Sequence, residues 1–112
     1  MLEDNSTDVI FYVHIFEENG QIVGEHCFDN GIVEDCLLGL KHSLYDVVVI
    51  NDNTVKFTFE TGFGAGANTA SDFIGKVKLT KISQNKIRWE IIRKPSAGYA
   101  VPTETILERS KK

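Results

Sequence analysis

Asn19-Gly20 stands between two runs rich in alternating apolar side chains, residues 8–16 (DVIFYVHIF) and 22–28 (IVGEHCF). Both residues of such a pair accept positive φ, so the chain can reverse in the turn whose twist suits antiparallel strands. A two-residue loop there fixes the pairing. Val13 falls opposite His26, Phe11 opposite Phe28, and His14 opposite Glu25. One face of this hairpin then carries Val9, Phe11, Val13, Ile15, Ile22 and Phe28. The other carries Ile10, Tyr12, Phe16, Val23 and Cys27, with His14 and Glu25. A sheet face turned to water is ordinarily polar. Both faces here are largely apolar, so the hairpin is expected to be covered on both sides.

The rest of the chain repeats the theme. Residues 46–50 and 54–60 read as a second hairpin around Asp52-Asn53, with Val48 and Ile50 expected on the face of Val55 and Phe57. Residues 73–82 and 86–93 read as a third. A three-residue loop at Ser83, Gln84 and Asn85 places Leu79 opposite Trp89 and Val77 opposite Ile91, keeping the core on one face, with Asn85 in the left-handed position. Residues 103–109 read as a last strand, at an edge. Residues 31–44 differ: Val33, Cys36, Leu37, Leu40 and Leu44 fall on one helical face, with Asn30 placed to cap the start. The expectation is an α+β domain over residues 1–112, mostly antiparallel. About seven strands form successive hairpins in an open barrel or strongly twisted sheet, with one helix near 31–44. The alternative is an all-β domain.

The formal charge is −4, unevenly spread: residues 1–60 carry −10 and residues 61–112 carry +6. Such a split points either to oppositely charged strands lying side by side or to a surface aimed at a charged partner. Cys27 and Cys36 match no usual zinc spacing; the simpler expectation is two buried thiols, and the alternative is a bridge closing a short loop in an oxidising compartment. A basic start followed by an apolar stretch would mark a secretory signal, and the first residues are acidic and polar. The expected location is therefore cytoplasmic, or periplasmic or secreted if a signal was removed. No membrane contact is expected, since no run approaches the roughly 18 apolar residues of a spanning helix.

The chemistry-bearing residues form no reaction centre by spacing. His14 and Glu25 make the nearest approach to an acid–base couple, and an ordinary cross-strand pair explains them. His26 reads as a satisfied core histidine and His42 as exposed. Three scattered histidines give no metal-ligand spacing, so no catalytic residue, metal or cofactor is expected. Residues 62–68 (GFGAGAN) contain G-x-G-x-G without the helix that phosphate binding needs, and read as a loop that could present Phe63. Lys76, Lys78, Lys81 and Arg88, with Tyr99 nearby, read as a solvated outer face, and no nucleic-acid partner is expected. Asn5-Ser6-Thr7 fits the glycosylation sequon, a short pattern that arises often by chance.

The leading expectation is a non-catalytic binding protein of inhibitor or immunity type. It would hold a basic protein partner through an acidic surface that includes Glu17, Glu18, Glu25, Glu34 and Asp35, with Phe63 as an apolar anchor. The second is a small-ligand-binding barrel with Phe57, Phe59, Trp89 and Tyr12 lining its cavity. The third is a homodimer through the free face of the first hairpin.

Overall fold

The computed structural model describes residues 2–3, 10–32, 34–36, 42–61, 70–96 and 99–109. The strands are β1 (Leu2–Glu3), β2 (Ile10–Glu18), β3 (Gln21–Asp29), β4 (Glu34–Cys36), β5 (Leu44–Asn51), β6 (Thr54–Glu60), β7 (Ile74–Ser83), β8 (Lys86–Arg93) and β9 (Glu104–Arg109). One 3₁₀ turn, Ala70–Phe73, precedes β7. All pairings are antiparallel. The order runs β2-β1-β9-β8-β7-β6-β5-β3, and β2 also pairs with β3. The sheet therefore closes into an eight-stranded barrel, and β4 is an extra strand on β3. Closure removes most of the free edge that an open sheet would expose.

The fold is all-β, and the helix expected over 31–44 is overturned. Glu34–Cys36 is a strand, and Leu44 already belongs to β5. Residues 33 and 37–41 of that stretch lie outside the described residues. Helical periodicity loses here because β3 offers an unpaired edge: Phe28 takes Asp35 and Cys27 takes Cys36 as partners. Helix propensity is a weak prior against that pairing. The expectation of free thiols is overturned as well. Cys27 and Cys36 are joined by a disulfide, their Cα atoms 4.2 Å apart across the β3–β4 pair.

The first hairpin has the predicted register from Ile10↔Asp29 to Glu18↔Gln21. Its turn places Asn19 at φ 54° and Gly20 at φ 81°, as an Asn-Gly reversal requires. In the second hairpin two bulges intervene, so Val48 pairs with Lys56 and Val49 with Val55. Each bulge adds one residue and flips the side chains beyond it. Val48 therefore shares the outward face of Lys56, not the face of Val55 and Phe57. In the third hairpin Leu79 faces Trp89 and Val77 faces Ile91, as predicted. The shift lies at a bulge between Lys81 and Ser83, and Asn85 is not left-handed. β9 is not an edge: it pairs with β8 on one side and β1 on the other. The two-residue β1 is the closure that the polar N-terminus gave no sign of.

The inward side chains fill the barrel. Phe11, Val13, Leu44, Phe57, Phe59, Val77, Leu79, Trp89 and Leu107 are buried in one cluster. Trp89 packs edge-on against Phe11 at 5.1 Å and Phe59 at 5.6 Å, and its indole N–H donates to the carbonyl of Pro102 at 2.8 Å. These aromatics interlock along the barrel axis, edge against face. Gly75 is the tightest point of the wall. A methyl there would overlap the carbonyl oxygen of Arg93 and meet Pro95 Cδ at 2.9 Å. Gly75→Ala is expected to cost roughly 1–3 kcal/mol as overpacking, read as a lower denaturant midpoint. An unchanged midpoint would show that the β8 end yields freely.

Candidate functional site

β3 has two neighbours along one edge. β4 occupies it from Asp29 to Cys27, and β5 touches it in register only at Gly24↔Leu44. Beyond that point Asp46, with φ 52°, sits between the pairs Tyr45↔Thr58 and Val48↔Lys56 and turns β5 away. Among the described residues, Val47–Asn51 on β5 and Gln21–Val23 on β3 have no strand partner across this seam. The seam holds a cleft of about 440 Å³ lined by Gly20, Gln21, Ile22, Val23, Asp46 and Val47.

The exposed chemistry around the seam is apolar with an acidic rim. Val48, Val49 and Ile50 are 50%, 68% and 52% exposed, and Ile22, in the cleft wall beside Asp46, is exposed as well. A free edge is usually blunted by lysine, proline or a short strand, and three successive β-branched residues do the opposite. Glu17 and Glu18 close β2, Asp46 lies in the cleft wall, and Asp52 tips the β5–β6 turn; all four are exposed. Glu18 also holds His42 at 3.0 Å, and His42 packs edge-on against Phe16. His42 is thus half-buried on the outer face of the first hairpin, not freely exposed as expected. Tyr45 donates to Glu60 at 3.5 Å; burial first, then the Glu60 charge, raises its pKa above the usual tyrosine value.

At the other end of the barrel lies a sealed polar network. Ser43 Oγ accepts from the backbone N–H of His26 at 3.0 Å and contacts His26 Nδ1 at 2.7 Å. Nε2 of His26 is 3.2 Å from Asp35 Oδ2, off the line of a good hydrogen bond. Thr61 donates to the same carboxylate oxygen at 2.5 Å. With the Ser43 hydroxyl donating to Nδ1, the ring proton lies on Nε2 and faces Asp35 without an aligned hydrogen bond. Serine, histidine and aspartate in sequence of contact make the composition of a nucleophilic triad. Here Ser43, His26 and Asp35 are all fully buried, and the ring of His26 packs on Phe59 at 5.1 Å. The network ties β3 and β4 to Ser43, just before β5, and to Thr61, just after β6.

The residues named from sequence scatter accordingly. Glu17, Glu18 and Glu34 are exposed, and Glu25 is half-buried opposite His14. His14 lies on the outer face, stacked on Phe16 at 5.0 Å. Asp35 is a correction: it faces inward, completely buried, and is no part of an acidic surface. Alternation along the three residues of β4 puts it inside, a phase hidden while the segment reads as a helix. Phe63, the glycine-rich loop and the Asn5 sequon lie outside the described residues. Phe57, Phe59 and Trp89 are core, and Tyr12 faces outward beside Cys27, so these four line no common cavity. Lys76 donates to Thr58, and Lys78 pairs with Glu90 at 3.7 Å on the outer face. Sequence reasoning missed the seam and the network. The only local sign of the seam is the run VVVI, whose lack of alternation fits no one-sided strand. No protein-family model matches the chain, and neither does any curated protein or solved structure.

Proposed function

We propose that this protein is a non-catalytic binding protein that neutralises a basic macromolecular partner, gripping an extended segment of it along the β3–β5 seam. The observation that carries the reading is the unpaired, apolar edge of β5 set among Glu17, Glu18, Asp46 and Asp52. A peptide laid there would gain backbone hydrogen bonds from the edge, while its basic side chains meet the carboxylates. The acidic strands β2, β3 and β5, with β4 on β3, form one contiguous arc, and the two basic strands, β7 and β8, lie across the barrel from it, while β6 is neutral and β9 carries two glutamates against one arginine. The charge split is thus a spatial polarity, which favours orientation of a charged partner before contact. The Cys27–Cys36 bond supports action in an oxidising compartment.

The test uses a nine-residue peptide of alternating lysine and valine, with a glutamate–valine peptide as control. The lysine peptide is expected to bind, and to bind more weakly as salt rises. Glu17→Lys together with Asp52→Lys is expected to weaken it about tenfold, mainly through association rate. Val49→Lys is expected to weaken both peptides by blunting the edge. Equal binding of the two peptides, or concentration-dependent self-association that saturates the edge, would remove the reading in favour of a simple sticky strand or a homodimer.

A further inference from the structure

The end of the barrel that carries the β7–β8 turn has a second pocket, separate from the seam. Its volume is about 240 Å³, and its floor is Leu2, Val13, Ile15 and Ile87. Lys81 and Arg109 stand on its rim with the β7–β8 turn. The strand phases explain the grouping. Val13 pairs with Leu2 across β2–β1, Leu2 pairs with Arg109 across β1–β9, and Lys81 pairs with Ile87 across β7–β8. Leu2, Ile87, Lys81 and Arg109 continue inward-facing rows past the core layer that holds Val13, so apolar side chains end the core and two cations ring the opening. Among the described residues, neither cation has a carboxylate within ion-pair distance.

We propose that this mouth binds a small amphiphilic carboxylate: a single carboxylate head held by Arg109 and Lys81, and a short aliphatic chain laid on Leu2, Val13, Ile15 and Ile87. The size fits a short ligand, since pockets for drug-sized molecules run to roughly 300–1,000 Å³. Arg109 suits the head because a guanidinium offers paired donors to the two carboxylate oxygens. Lys81 adds a point charge on a flexible stem. The site is independent of the seam, shares no lining residue with it, and stands or falls separately.

Titration with sodium octanoate, followed by methyl NMR on the full chain, tests the assignment. The methyls of Leu2, Val13, Ile15 and Ile87 are expected to shift together and saturate. Octanol, which keeps the chain without the charge, is expected to bind at least about tenfold more weakly. Acetate, which keeps the charge without the chain, is expected to leave those methyls unmoved. The variant Lys81→Gln with Arg109→Gln changes two exposed side chains, so its core methyl spectrum is expected to stay that of the parent while octanoate binding falls about tenfold. Absence of saturable shifts, equal binding of octanol, or full binding by the folded double variant would overturn the proposal.

Discussion

Asp35→Ala is expected to destabilise the barrel by about 3–5 kcal/mol, the usual cost of removing one member of a buried polar or ionic pair. The carboxylate is fully buried, accepts from Thr61, and faces Nε2 of His26. Taking it away removes the acceptor of the Thr61 hydroxyl bond and the carboxylate that faces the His26 ring nitrogen, both in a buried setting. Losing the partner of a buried polar group costs roughly 1–3 kcal/mol. The effect should appear as a lower denaturant midpoint at unchanged slope. Glu34→Ala, one residue away on the exposed face of the same strand, is the control and is expected to be nearly neutral. Asp35→Asn retains the shape and one acceptor, so it should fall between the two. If Asp35→Ala cost no more than Glu34→Ala, the network would be incidental to stability.

What could be read in advance follows a physical line. The first hairpin was legible because Asn19-Gly20 sets both turn type and register, and the two-residue period of the flanking strands agrees with it. The third was legible because only one register keeps Leu79, Trp89, Val77 and Ile91 together. The second failed at its bulges. An extra residue at Ile50 leaves no mark in a run of four β-branched side chains, since either phase looks apolar. The segment 31–44 failed for a different reason. Its apolar residues fit a helical face, while its fate is set by the distant edge of β3 and by Cys27, neither of which is local information. The seam follows from both failures: β4 and β5 share one edge of β3, three steps along which match eight along their own chain, from Cys27↔Cys36 to Gly24↔Leu44. Such an excursion is a tertiary fact. The network it tethers joins residues 17 and 26 positions apart, and no spacing in the sequence announces it.

The disulfide and the network are expected to act as one unit, because β4 carries both Cys36 and Asp35. Replacing Cys27 and Cys36 together with alanine frees a loop of sequence separation 9 in the unfolded chain, worth about 2–3 kcal/mol by loop-closure entropy. β4 is only three residues long, so the bond is its principal anchor beyond three backbone pairs. Once it is gone, β4 can leave β3 and take Asp35 out of reach of His26 and Thr61. Asp35→Ala should then cost much less in the alanine pair than in the parent. A double-mutant cycle should return a coupling of roughly 1–3 kcal/mol, within the range found for groups in one network. Reducing the parent with a dithiol should reproduce the stability of the alanine pair, and the exchange of the His26 and Phe28 amides, which face the β4–β5 edge, should accelerate together. Strict additivity of the two changes would mean that β4 holds its place by packing alone. In that case the covalent bond would stabilise the chain only through its unfolded state, and the buried aspartate would keep its partners whatever the redox conditions.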